Sequence, residues 1–170
     1  MRRIRYAVAM SLDGFIAGPN GEADWITTDP DFDFAAIYSQ YDTILVGRRT
    51  FDRMAAAGRT LIPGMKTIVF SRTLRQQDHP EITVVTDGHR EMLTTLKASP
   101  GKDIWLFGGG SLFRTLAEDG FVDTVEVGVS PVLLGSGVPL VPGPSNRIKL
   151  SLTSHRVFRT GTVSLEYAIV

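Results

Sequence analysis

Three stretches of this 170-residue chain end an apolar, β-branched run in residues suited to holding an anion. The first, "IWLFGGGSLF", passes through Gly108, Gly109 and Gly110 to Ser111 and Leu112. Glycines let backbone N–H groups approach a ligand closely, and a helix opening at Ser111 adds unpaired N–H groups and the positive end of its dipole. The second, "ILVGRRTF", sets Gly47 before Arg48, Arg49 and Thr50 where a helix begins: two guanidinium groups and a hydroxyl at a helix start. The third, "TIVFSR", closes on Ser71 and Arg72, a hydroxyl and a cation able to hold an isolated phosphate. The glycine spacing differs from a dinucleotide fingerprint, and no lysine stands where a P-loop needs one. A tight strand-to-helix turn would use the same glycines.

These stretches act together only if their strands run side by side and parallel, because the C-terminal ends then share one edge, where ligands bind. A ligand with a pyrophosphate and a separate phosphate matches that arrangement, and NADPH carries this distribution of charge. Apolar runs at residues 4–10, 43–46, 67–70, 82–86, 104–107 and 122–129 read as strands covered on both faces. Segments 32–41, 50–57, 89–98 and 111–118 have helical spacing. The alternation predicts an α/β fold with a largely parallel sheet and helices on both sides. Residues 149–158 and 162–169 flank Arg159-Thr160-Gly161 as a terminal β-hairpin, which makes the sheet mixed. The Pro- and Gly-rich residues 139–146 read as the loop leading into it. With no repeat or dividing linker, residues 1–170 are expected to form a single domain.

Composition removes several function classes. Net charge is zero and the sequence pI about 6.8, so no basic field is available to hold nucleic acid. The absence of cysteine excludes disulfides, thiolate metal sites and cysteine nucleophiles. His79, His89 and His155 are scattered without metal-ligand spacing, and no nucleophile elbow surrounds Ser71 or Ser111. The arginines and short apolar run at residues 1–10 are broken by Asp13-Gly14, and no stretch approaches the roughly 18 to 20 apolar residues of a membrane span. A cytoplasmic protein is the expectation, with no metal and no membrane partner.

In order along nearly the whole chain, "AMSLDGFIAG", "DWIT", "ILVGRRTF", "IPGMKTIVFSR", "IWLFGGGSLF" and "VDTVEVGVSPVLLGSG" resemble one superfamily. It joins dihydrofolate reductase to the reductase domain of the bacterial riboflavin-biosynthesis deaminase-reductase, the RibD C-terminal domain. The resemblance implies a dihydrofolate reductase-like three-layer α-β-α fold with a central, mostly parallel mixed sheet of about eight strands and a C-terminal antiparallel hairpin. NADPH would lie across the strand ends. By this resemblance Gly108, Gly109, Gly110, Ser111 and Leu112 hold its pyrophosphate, together with Gly47, Arg48, Arg49 and Thr50 at the second helix start. Ser71 and Arg72 would meet the adenosine 2′-phosphate, Ala9 and Ile16 would line the nicotinamide with Phe113 near it, and Trp25 would border cofactor and substrate. Ala9, Ile16 and Phe113 are equally readable as core. The resemblance also implies a homodimer.

The pocket beside the nicotinamide departs from both named enzymes. Where dihydrofolate reductases carry an arginine after a Pro-Gly pair, this chain has Met65, which cannot pair with a carboxylate. Where the riboflavin-pathway reductases place a glutamate, a serine and an arginine, it has Phe107, Ala23 and Tyr38. Residues 24–43 contain no lysine or arginine but hold Asp24, Asp29, Asp31, Asp33 and Asp42, a poor wall for a phosphoribosyl group. An acid there could instead hydrogen-bond or protonate a nitrogen heterocycle stacked on Phe34 or Tyr38. Asp31 is the catalytic candidate, with Asp29, Asp33 and water as alternatives. The competing reading is helix capping by Thr28 or Asp29, with Pro30 in the first helical position. The expectation is an NADPH-dependent reductase that transfers a hydride to a C=N or C=O bond of a small pyrimidine- or pterin-like heterocycle. The alternatives are 5-amino-6-(5-phosphoribosylamino)uracil reductase and a non-catalytic nucleotide-binding module.

Overall fold

Strands rich in Val, Ile and Leu on both faces need cover on both faces, and the chain supplies it with helices between successive strands. The computed structural model describes residues 1–143 and 146–170. In chain order the elements are β1 (Ile4–Ser11), β2 (Phe15–Ala17), α1 (Phe34–Tyr38), β3 (Tyr41–Gly47), α2 (Arg48–Ala56), β4 (Lys66–Phe70) and β5 (Thr83–Val85). There follow α3 (His89–Ala98), β6 (Asp103–Gly108), α4 (Gly110–Glu118), β7 (Thr124–Ser130), β8 (Val138–Pro139), β9 (Leu150–Val157) and β10 (Val163–Ile169). An eight-stranded sheet has the order β5-β4-β3-β6-β1-β7-β10-β9. From β5 to β7 every pairing is parallel, whereas β10 runs antiparallel to both β7 and β9. The α/β fold, the mixed and mostly parallel sheet and the terminal hairpin are as the sequence predicts.

Strand alternation divides the core into two layers. Ile4, Tyr6, Leu45, Ile104, Leu106, Val125 and Val127 form one layer with Leu93 of α3 and Phe113 and Leu116 of α4. Tyr6 and Phe113 stack with ring centroids 4.0 Å apart, which fixes α4 over β1. Tyr41, Ile44, Val46, Val69 and Trp105 form the other layer with Phe51 of α2. Each fully buried aliphatic or aromatic side chain contributes about 1.5–3 kcal/mol. The second layer also carries Arg5, whose Nε and Nη2 donate to Glu126 at 2.6 and 2.7 Å while Nη1 donates to Gln40 Oε1 at 2.6 Å. Burial works against the Arg5 charge, but the paired Glu126 carboxylate outweighs it and holds the guanidinium above its ordinary value.

The first helix differs from its expected span. Asp33, not Thr28 or Asp29, is its N-cap, accepting from Ala36 N at 2.9 Å, so α1 opens at Phe34. Tyr41 opens β3 instead of closing α1, because its ring is wanted against Trp105, 5.6 Å away. Asp29 is buried and does something else: its oxygens accept from Asp31 N at 2.8 Å and Thr160 N at 2.9 Å. This ties the segment before α1 to the turn of the terminal hairpin, and Phe32 stacks on Phe158 at 4.0 Å beside it. Phe15–Ala17 pairs with Val138–Pro139, a short antiparallel ribbon that takes Pro139 out of the expected 139–146 loop. Pro144 and Ser145 of that loop lie outside the described residues.

Hydrogen bonds from the backbone N–H groups of Asp31 and Thr160 hold the Asp29 carboxyl below the usual carboxylate range, against a smaller opposing effect of burial. A depressed carboxyl contributes stability that is present above its unfolded value and lost as pH falls through the native one. Asp29→Asn should therefore lower the melting temperature at neutral pH. The gap from wild type should shrink as pH falls below the ordinary carboxylate range and the native carboxyl protonates. Thermal melts across that range check it.

Candidate cofactor and substrate site

Because β4, β3, β6 and β1 are parallel neighbours, their C-terminal ends meet on one edge. The register sets Gly47 beside Phe70 and Val46 beside Gly108. A Cβ added to Gly47 would stand 3.7 Å from Gly108 O, Gly109 N and Leu112 Cβ, and one added to Gly109 would stand 3.4 Å from Thr50 Oγ1. Gly47, Thr50, Gly108, Gly109 and Leu112 are thus brought together. Gly108 has φ +131°, which a side chain would strain, and the Gly108–Gly109 peptide is cis. The N-caps of α2 and α4, Gly47 and Gly109, offer no side-chain oxygen to the first turn. Two nine-residue helices therefore begin at adjoining turns with their first N–H groups uncapped by side chains.

Gly110 serves a different purpose from its neighbours. A Cβ there would fall 2.7 Å from Leu140 O and 2.9 Å from Pro139 O, so its small size lets the start of α4 pack on the segment after β8. What remains for a ligand is its N–H. Ser111 is exposed one residue further on.

At the third strand end Ser71 is buried, and its hydroxyl accepts from Thr73 N at 3.2 Å and Leu74 N at 3.1 Å. Arg48 reaches across to this turn: Nη1 donates to Thr73 Oγ1 at 2.9 Å, while Nε donates to Asp52 at 2.8 Å. Its expected place beside an anion is therefore shared with a structural one, a staple from α2 to the turn after β4. Arg49 and Arg72 are exposed and have no side-chain partner among the described residues. Beyond Ser71 lies a cavity of about 340 Å³, with Phe70, Val85 and Leu112 in its apolar lining and Ser71, Arg72 and Thr86 among its polar groups.

The other end of the cleft is built on β1. Ala9 is half-buried beside Gly128 of β7, whose own face meets open space. Asp13 ties the following loop down, accepting from Ser11 Oγ at 2.7 Å, Gly135 N at 2.7 Å and Leu134 N at 3.1 Å. The Ser11 hydroxyl is the main cause that holds the Asp13 carboxyl below its usual range. Half-buried Ile16 lies in β2, and Trp25 donates its indole N–H to Glu22 O at 3.1 Å. On the same face as Ala7, Tyr38 meets Trp105 at 5.5 Å and Trp105 meets Phe107 edge-on at 5.0 Å. The sequence reading passed over Trp105, whose signal was its placement one residue out of phase with the buried pair Ile104 and Leu106. Asp31 lies at the surface, its side chain 38 % exposed and 3.3 Å from Arg159 Nε. Among the described residues, no group of three or more acids or histidines is placed to hold a metal ion, and no helix is long and apolar enough to cross a membrane.

The known family whose pattern matches this chain is the RibD C-terminal domain, over residues 2–164. The chain belongs to it. This RibD C-terminal domain is 40 % identical to the uncharacterised protein YyaP of Bacillus subtilis (strain 168), over 98 % of the chain and 94 % of YyaP. Its fold is similar to that of a diaminohydroxyphosphoribosylaminopyrimidine deaminase/5-amino-6-(5-phosphoribosylamino)uracil reductase of Thermotoga maritima. That likeness has a TM-score of 0.75 at 18 % identity, covering 99 % of this chain and 57 % of the other. It also resembles dihydrofolate reductase of Enterococcus faecalis complexed with NADP(H), with TM-score 0.68 at 19 % identity over 98 % and 94 % of the two chains. The family match bears out the RibD C-terminal family expected from the sequence, and the two structural likenesses bear out its dihydrofolate reductase-like fold.

Two glycine substitutions separate packing from ligand access. Gly110→Ala should destabilise the protein by about 1–3 kcal/mol, since the new methyl meets rigid carbonyls. Gly109→Ala should leave urea unfolding nearly unchanged, because Thr50 Oγ1 stands at 3.4 Å, while narrowing the cleft and weakening dinucleotide binding. Denaturant melts and fluorescence titration with NADPH measure the two effects.

Proposed function

We propose that this chain is an NADPH-dependent oxidoreductase that reduces a C=N or C=O bond of a small pyrimidine- or pterin-like heterocycle. The observation that carries the reading is the adjacency of the two uncapped helix starts at Gly47 and Gly109, with Thr50 between them and the cations Arg49 and Arg72 on the same rim. That donor set fits a pyrophosphate with a further phosphate nearby. Gly47, Thr50, Gly108, Gly109, Gly110, Ser111 and Leu112 would hold the pyrophosphate, Arg48 and Arg49 would add charge, and Ser71 and Arg72 would face the 2′-phosphate. Ala9, Ile16 and Trp25 would border the nicotinamide ring. When bound, NADPH supplies the hydride.

The chain's own part is to position the substrate and exclude water. Exposed Tyr38 and half-buried Phe107, packed on either side of buried Trp105, would offer aromatic surface beside Ala7 for a planar ring. Asp29 and Asp33 are committed to backbone N–H groups, which leaves Asp31 or solvent to deliver the proton. Asp31 is exposed and ion-paired with Arg159. The expected outcome is that Asp31→Asn keeps most turnover, which assigns proton delivery to water.

A second reading, 5-amino-6-(5-phosphoribosylamino)uracil reductase, gains from Arg159. The hairpin brings this cation, 86 % exposed, to an acidic segment that has none of its own. The deciding experiment follows loss of reduced-nicotinamide absorbance with pterins, pyrimidines and the ribosylaminopyrimidine in turn. NADPH consumption with the last alone supports the second reading. Tight NADPH binding with no consumption across the panel makes the chain a nucleotide-binding module and ends the reductase proposal.

The proposal includes a cytoplasmic homodimer. Its support is the outermost strand, β9, exposed along its length with Leu150, Leu152 and Val157 in the open. Light scattering behind gel filtration should return twice the chain mass of 18.6 kDa, and a value near the single mass removes the dimer.

A further inference from the structure

His89 enters the 340 Å³ cavity from the first turn of α3 and faces the same space as Arg72 and Ser71. Its Nε2 lies 2.7 Å from Asp119 Oδ2 at the end of α4, and Arg90 binds the other carboxylate oxygen. Nδ1 has no partner among the described residues, and the side chain is 34 % exposed. None of the roles argued above uses this residue.

Resting on the NADPH reading, we infer that His89 is a proton-dependent specificity residue that favours the 2′-phosphate of NADPH over the bare 2′-hydroxyl of NADH when the imidazole is charged. The Asp119 carboxylate fixes Nε2 as the donor nitrogen in the neutral ring, which leaves a lone pair on Nδ1. A lone pair repels a phosphate oxygen. Protonation turns Nδ1 into an N–H donor and adds a second positive charge beside Arg72, so one proton converts repulsion into a charge-assisted hydrogen bond. The charged groups around the ring are Asp119 from α4, Arg90 from α3, Asp87 just before α3 and Arg72 from the turn after β4. The other neighbours, Val85, Thr86, Thr115 and Leu116, do not titrate. By reciprocity, a ligand with a 2′-phosphate must raise the proton affinity of His89, and one without it must not.

The test titrates wild type and His89→Gln with NADPH and with NADH at pH ~6 and pH ~8.5, on either side of the imidazole range. A phosphate monoester also gains a proton near pH ~6, in both proteins alike, so the comparison is between proteins at one pH. The NADPH-to-NADH affinity ratio of wild type should exceed that of the variant about fivefold at the lower pH, the size of a half-exposed charge-assisted contact. At the higher pH the wild-type ratio should fall to that of the variant or below it. An NMR titration of the His89 ring in wild type needs no variant to fold: NADP+ should raise its midpoint and NAD+ should leave it in place. A wild type that binds neither dinucleotide overturns the cofactor reading itself. A wild type that binds NADPH, with a ratio to the variant that is the same at both pH values or a midpoint that NADP+ does not move, overturns the role of His89 alone.

Discussion

The turn at Gly47 and the turn at Gly108–Gly109 approach each other so closely that a side chain on Gly47 would already touch the other backbone. This contact fixes where α2 and α4 begin. It is possible only because β3 and β6 are parallel neighbours whose register shifts between Leu45 and Val46 just before they end. Had the strands been antiparallel, their glycine turns would lie at opposite ends of the sheet and the helix dipoles would not converge. Sheet order, glycine placement and helix starts are therefore one arrangement, and the phosphate chemistry proposed for the rim inherits its geometry from it.

The loops after β1 and before α1 are secured by acids, one exposed and one buried. Asp13 holds the loop after β1 to residues 134–135, and Asp29 holds the approach to α1 to Thr160. In each case a carboxylate satisfies backbone N–H groups that no strand or helix supplies with a partner. Acids that resemble catalytic candidates in the sequence thus act as fasteners.

What the sequence disclosed follows from which forces are local. The strands of the parallel sheet were legible because burial on both faces demands continuous β-branched runs, and the terminal hairpin because Thr160-Gly161 separates two alternating segments. The glycine turns were legible because a backbone that approaches another backbone must lack a side chain. Long-range partners were not. Nothing near Asp29 in sequence announces Thr160, and nothing near Arg48 announces Thr73, so neither tertiary bond was legible. The start of α1 was misplaced because Pro30 and the surrounding acids give several helix-opening signals, and only the tertiary bond from Asp29 decides among them. The β2–β8 ribbon escaped notice because strands of three and two residues carry no periodicity.

One contact links the two halves of the cleft mechanically. Gly110, at the head of α4, rests against the carbonyls of Pro139 and Leu140, and Leu140 N donates to Gly14 O at 2.9 Å in the loop that follows β1. The helix head, the 139–140 segment and the Gly14 loop therefore form a single lever. A displacement of any one of these three segments is therefore felt by the other two.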